Sequence, residues 1–217
     1  MNTPYLPLAL FWALIAVPLA AQAGDVWITP QIESVQVVNQ GEPVVISRNQ
    51  DPNNLVNPLY AHTSRKCPPF CIQPIVVAPG VETIGELELL DYLVRIRKGD
   101  SSVLVVDTRT PQWPKRGMIP GAVNIPWTLL DTKQEATPES VNNILVGHFG
   151  ARSSDGKWDF SNAKTLVLYC NGMWCSQSTN AIKELLHYGY PPEKLKWYRG
   201  GMQDWEILGL TTVKLEE

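Results

Sequence analysis

Four cysteines, set in two close pairs, offer this chain its most reactive chemistry: Cys67 with Cys71, and Cys170 with Cys175. Cys170 directly follows the apolar run Leu166-Val167-Leu168-Tyr169. It directly precedes the loop Asn171-Gly172-Met173-Trp174-Cys175-Ser176 and a helical pattern from Ser176 to Tyr188 that Gly189 closes. A tight loop at a helix start aims several backbone N–H groups at one point, and the positive end of the helix dipole adds to them. A thiolate is stabilised in such a place, so a cysteine there has its pKa depressed and attacks at neutral pH. The competing reading for a single cysteine is a small buried hydrophobe.

The other pair lies in Cys67-Pro68-Pro69-Phe70-Cys71, where two prolines forbid a regular helix. His62, Cys67 and Cys71 could give a metal three soft ligands, but the remaining histidines, His148 and His187, are remote in sequence. The expectation is therefore a local disulfide or a redox-active pair facing Cys170, with no metal and no cofactor.

The elements that must position these residues change in texture near residue 80. From 24 to 80 the chain reads as a Pro-rich, β-rich extension. Val35 to Val38 and Val44 to Ile46 are strands joined through Asn39-Gln40-Gly41-Glu42, a hairpin pattern. This piece is too small to hold much core alone and is expected to lie against the rest of the chain. From 81 to 217 strands alternate with helices. Thr83 with Glu86 has the form of a capping box, and Leu87, Leu90, Leu93, Val94 and Ile96 form the apolar stripe of a helix ending at Gly99. Val103-Leu104-Val105-Val106-Asp107 and Leu166 to Tyr169 read as strands buried on both faces. Ala122 to Pro126 and Leu195 to Tyr198 are shorter strands, and Met202 to Leu208 is a last helix. That alternation predicts an α/β fold with a central parallel sheet covered on both sides, and sites in such sheets sit at the carboxyl ends of strands.

Composition narrows the function. The chain has 217 residues, 44% hydrophobic and 18% charged, with a net charge of −3 and no block of like charges. Neither nucleic acid nor an anionic lipid surface finds an electrostatic footprint in it. Leu6 to Ala21 is apolar without a charge and ends in Ala21-Gln22-Ala23, the small-x-small pattern of a signal-peptidase site. Residues 1–23 are thus expected to be a signal peptide, and the mature chain periplasmic or secreted, with no membrane association after cleavage. In an oxidising compartment both cysteine pairs can close.

Three segments, in order, resemble the rhodanese (sulfurtransferase) domain. The first runs from Val103 to Pro126. It carries Asp107-Thr108-Arg109-Thr110-Pro111 and then Gly117-Met118-Ile119-Pro120-Gly121-Ala122-Val123-Asn124-Ile125-Pro126. The loop from Cys170 to Ser176-Gln177 comes next, and Gly200-Gly201-Met202-Gln203-Asp204-Trp205-Glu206-Ile207-Leu208-Gly209-Leu210 closes the series. The match covers roughly residues 83 to 213, with 131–163 as an inserted loop holding its own helix near Glu139 to Leu145.

The resemblance implies a rhodanese-like three-layer fold in which Cys170 accepts a sulfane sulfur, becomes a persulfide and passes the sulfur on. The source would be a small sulfur-containing donor, and the recipient a thiol acceptor or a periplasmic protein partner. Asn171, Gly172, Met173, Trp174, Cys175 and Ser176 would form the active-site loop, with Asp107 and Arg109 in support. This chain departs from the pattern in having Cys175 where many members carry arginine, Met118 where histidine is common, and no Lys or Arg between Cys170 and Ile182. A thiosulfate dianion would meet no cation from the loop. Cys175 could attack the persulfide, release sulfide and close a disulfide, or it could be a packing residue. Alternatives to sulfur transfer are a thiol-disulfide redox or sulfur-relay protein using Cys170 and Cys175, and a non-catalytic module that binds a partner. The related Cys-x5-Arg phosphatases and arsenate reductases are excluded because Ser176 occupies the arginine position.

Overall fold

The computed structural model describes residues 26–154 and 156–215; the expected signal peptide, 1–23, lies outside them. The first element is a hairpin of β1 (Ser34–Asn39) and β2 (Glu42–Ser47), paired antiparallel with Asn39 opposite Glu42. Its two central turn residues, Gln40 and Gly41, both have positive φ, the turn whose twist matches that of the strands. A short helix α1 (Pro58–Ala61) follows, then β3 (Glu82–Ile84), α2 (Glu86–Arg97), β4 (Val103–Asp107) and β5 (Val123–Asn124). The inserted segment holds α3 (Pro138–Asn142), which runs on into a wider helical turn to His148, and a small hairpin of β6 (Arg152–Ser154) and β7 (Lys157–Asp159). Then come β8 (Thr165–Tyr169), α4 (Gln177–His187), β9 (Leu195–Tyr198) and α5 (Gly201–Ile207).

Five strands form one sheet in the order β3-β9-β8-β4-β5, every pair parallel. Side chains alternate between its two faces, as strand geometry requires. Val106, Leu166, Leu168, Leu195 and Trp197 enter one core with Ala181, Ile182 and Leu185 of α4. Val103, Val105, Val167, Tyr169 and Tyr198 enter the other with α2 and α5. This is the expected three-layer α/β arrangement with a central parallel sheet. Each large side chain so buried contributes about 1.5–3 kcal/mol, and the stacking fixes where the strand ends point.

The extension before residue 80 has no core of its own. Val37, Ile46 and Tyr60 are buried in the second layer beside Leu89, Leu93 and Met202, and the Gly121 N–H donates to Asn39 Oδ1 at 3.0 Å. The inserted segment thickens the first layer by burying Val141, Ile144, Leu145 and Phe149 there.

Helix α2 begins later than the capping-box reading places it. Thr83 lies in β3, opposite Trp197, and its hydroxyl donates to the Ile75 carbonyl. Gly85 is the cap instead, its N–H donating to the Glu88 carboxylate at 3.0 Å. The buried stripe is correspondingly Leu89, Leu90 and Leu93, while Leu87 is half exposed.

Candidate active site

Strand β8 delivers Cys170 to the carboxyl end of the sheet between β4 and β9, and α4 leaves seven residues later. The loop between curls back on itself, with the Cys175 N–H donating to the Gly172 carbonyl at 2.9 Å. That curl brings the Cα atoms of Cys170 and Cys175 to 6.4 Å, and the two sulfurs are joined in a disulfide. Both are buried, at 2% and 5% exposure. Of the loop residues, Asn171 and Gly172 are buried, while Met173, Trp174 and Ser176 are partly exposed.

Helix α5 holds the loop from one side. The Met202 N–H donates to Cys170 O at 2.9 Å and the Gln203 N–H to Asn171 O at 3.0 Å. Such close backbone approach leaves no room for a side chain on Gly201, which also has a φ of +57°. Gln203 then ties three pieces together. Its Oε1 accepts from Trp174 Nε1 at 2.8 Å, and its Nε2 donates to the Tyr60 carbonyl at 2.9 Å.

Behind the loop, Asp107 and Arg109 form a wholly buried ion pair with an N···O distance of 2.6 Å. Arg109 also donates to Asn171 Oδ1 at 3.1 Å, to Tyr60 Oη at 3.0 Å and to the Gly117 carbonyl at 2.7 Å. A buried charge requires such saturation. Burial by itself would push the Arg109 pKa down, but the Asp107 carboxylate overrides it and the net shift is upward. Tyr169 donates to Asp107 Oδ2 at 3.2 Å. Burial first, and the adjacent Asp107 charge second, hold its phenol far above its ordinary range. The pair thus braces the loop through Asn171 and stands behind it.

The second cysteine pair comes to the front of the same loop. Cys67 and Cys71 are disulfide-bonded, their Cα atoms 4.7 Å apart. The segment carrying them crosses the loop tip. The Arg65 guanidinium lies 3.8 Å from the Trp174 ring centroid, and Phe70 meets that ring edge-on at 5.7 Å. The Gln73 N–H donates to Met173 O at 2.8 Å, and Gln73 is held in turn by Thr179 and Arg199. A cavity of about 780 Å³ lies between extension and loop, lined by Arg65, Cys67, Phe70, Cys71, Met173 and Trp174 among others. Among the described residues no group of three or more His, Cys, Asp and Glu gathers as a metal site, and Cys67 and Cys71 bond to each other instead. No helix among them is long and apolar enough to cross a membrane.

Every loop residue singled out in the sequence lies in this one region, with Asp107 and Arg109 beneath it. Arg65, Tyr60, Gln203 and Ser178 join them without having been singled out. Arg65 gives the loop tip the cation that its own sequence lacks. Nothing local marks it, because the contact with Trp174 is made across the fold. Tyr60 sits in a Pro-rich stretch with no periodicity, whereas Gln203 lay inside the last sequence motif.

The family model for the rhodanese-like domain matches residues 90–208, more than half of the chain. No curated protein matches the sequence. Among solved structures, a human single-domain sulfurtransferase is 18% identical over 58% of this chain and 95% of its own, with a TM-score of 0.37. A rhodanese with anions from E. coli is 22% identical over 52% of this chain and 99% of its own, with a TM-score of 0.33. A Rhodopseudomonas palustris protein described as a possible tyrosine phosphatase is 23% identical over 63% of this chain and 88% of its own, with a TM-score of 0.40.

Proposed function

The chain belongs to the rhodanese-like domain family, and on that premise we propose that it is a sulfurtransferase carrying sulfane sulfur as a persulfide on Cys170. The observation that supports this most is the placement of Cys170 at the end of β8, directly before α4, with Cys175 bonded to it. Reduction of that disulfide by a dithiol frees Cys170. Its thiolate attacks the outer sulfur of the donor, the donor's sulfur–sulfur bond breaks, and the donor leaves with the bonding electron pair. An acceptor thiol then attacks the outer sulfur of the persulfide. The bond to Cys170 breaks, the acceptor becomes a persulfide, and Cys170 returns as thiolate.

Cys175 gives the site a second outcome. Attack of its thiol on the inner sulfur of the persulfide expels hydrosulfide and restores the Cys170–Cys175 disulfide, which a dithiol must open before the next loading. The closed pair supports the related reading of a thiol-disulfide or sulfur-relay protein, in which this branch dominates. The donor is a small sulfur compound, the acceptor a thiol or a protein partner, and the setting periplasmic or extracellular after removal of residues 1–23.

Mass spectrometry of the reduced protein after exposure to a sulfane donor tests the proposal. The expected result is a gain of about 32 Da, one sulfur atom, on the Cys170 peptide, with none on that of Cys170→Ser. A wild type that never carries the extra sulfur, while its thiols react normally, would leave a binding module. Retained transfer in Cys170→Ser would place the chemistry on another cysteine.

A further inference from the structure

Helix α4 brings a second polar group to the nucleophile. Ser178, the second residue of α4, is fully buried. Its Oγ lies 3.4 Å from Cys170 Sγ and 3.0 Å from Nε1 of Trp197, itself buried on β9. An indole N–H can only donate, so the Ser178 oxygen is the acceptor in that contact. The one hydrogen on that oxygen is then left for its other neighbour, the sulfur. A serine inside a helix commonly turns its hydroxyl back to a carbonyl of the preceding turn. The next residue keeps such a carbonyl within reach, Thr179 Oγ1 lying 3.0 Å from Ser176 O and 3.0 Å from Gln73 Oε1, whereas Ser178 is turned to Cys170.

We propose that Ser178 is a catalytic hydroxyl that donates its hydrogen to the Cys170 sulfur, and that Trp197 is the positioning residue that fixes its direction. The hydrogen bond is strongest when Cys170 Sγ bears the negative charge. That is the thiolate, because in the persulfide the charge sits on the outer sulfur. Ser178 therefore favours the free thiolate over the loaded state. It assists the step in which the acceptor thiol bonds to the outer sulfur and the electron pair of the breaking bond returns to Sγ. It assists opening of the disulfide in the same way, since attack on the Cys175 sulfur also sends the electron pair to Cys170. This inference rests on the persulfide reading for its role in transfer, but the thiolate itself is measured without any sulfur donor.

Other charged or titratable groups packed around the loop are Cys175 within it, Asp107 and Arg109 at the end of β4, and Tyr169 of β8. Tyr198 and Arg199 at the end of β9, Asp204 of α5, and Tyr60, His62 and Arg65 of the extension join them. None is altered by substitutions at Ser178 or Trp197, and Cys175 is removed from the titration by working in a Cys175→Ala background.

The experiment follows iodoacetamide alkylation of Cys170 against pH, read from the mass of its peptide, in Cys175→Ala alone and with Ser178→Ala or Trp197→Phe added. Loss of one charge-assisted hydrogen bond should move the midpoint upward by about one pH unit in Ser178→Ala. Trp197→Phe keeps the hydroxyl but frees its direction, so its midpoint should rise by less. Midpoints unchanged in both variants, each shown to unfold cooperatively, would overturn the proposal. A shift in Trp197→Phe without one in Ser178→Ala would also overturn it, because the indole acts here only through Ser178. An unshifted midpoint in a protein that still gains a sulfur atom on Cys170 would sink the role of Ser178 alone. A shifted midpoint with no sulfur gained would sink the persulfide reading alone.

Discussion

Replacing Gly201 by alanine tests whether α5 sets the position of the Cys170 loop. Gly201 has a φ of +57°, the left-handed region, where a Cβ costs about 1–2 kcal/mol. The new Cβ would also stand 2.7 Å from Gly172 N and 3.0 Å from the Asn171 carbonyl carbon, and closer still to Cys170 O. These are backbone atoms that cannot swing aside, so the loop and the helix start must separate by about one ångström to recover ordinary contact. The separation loosens two hydrogen bonds, Met202 N–H to Cys170 O and Gln203 N–H to Asn171 O, each contributing about 0.5–1.5 kcal/mol. The expected loss is about 2–5 kcal/mol. Gly99→Ala is the control, because its φ is +94° and a Cβ there meets nothing within 4 Å. It should lose only the backbone part, about 1–2 kcal/mol. Urea unfolding gives both numbers, and alkylation of Cys170 in the reduced proteins reads the loop directly. Reactivity should change several-fold in Gly201→Ala and not in Gly99→Ala. Equal unfolding midpoints and equal reactivity in the two variants would refute the reasoning.

Three further outcomes are expected. Arg109→Ala leaves the buried Asp107 carboxylate without its cation and should cost about 3–5 kcal/mol in urea unfolding; a loss below about 1 kcal/mol would mean that the pair is not sealed from water. Reductant should raise sulfur transfer by the wild type several-fold and leave Cys175→Ala nearly unaffected, since only the wild type can close the loop disulfide; the same dependence in both would reduce Cys175 to a packing residue. Burial, reinforced at Asp204 by Glu86, holds the carboxyls of Asp204 and Glu206 above the ordinary carboxylate range. The folded state therefore binds the extra proton, so stability is favoured below the ordinary carboxylate pKa and falls as pH rises through the raised values. The double variant Asp204→Asn, Glu206→Gln should then resist urea better than the wild type at neutral pH and lose that advantage near about pH 3; a wild type at least as resistant at neutral pH would contradict this.

The parts of the site legible in the sequence are those where one local pattern carries the whole signal. Leu166 to Tyr169 could only be a doubly buried strand, so Cys170 had to emerge at its end, and the order of helices and strands fixed a parallel sheet with a covered face on each side. Elements shaped by distant contacts were harder to read. Strand β3 is three residues at the sheet edge, too short for a period, and it exists because Thr83 pairs with Trp197. The same pairing moves the start of α2 from Thr83 to Gly85 and turns Leu89, not Leu87, toward the core. The β6–β7 hairpin is polar throughout apart from the half-buried Trp158 and gives no alternation to detect. The loop itself shows the limit most clearly. Its composition, uncharged from Asn171 to Ala181, describes a site without a cation, yet the extension lays Arg65 on Trp174 and Arg109 reaches Asn171 from below. Charge at this site is thus supplied by the frame around the loop. A sequence comparison restricted to the loop would miss both arginines, Arg65 at its tip and the Asp107-paired Arg109 beneath it.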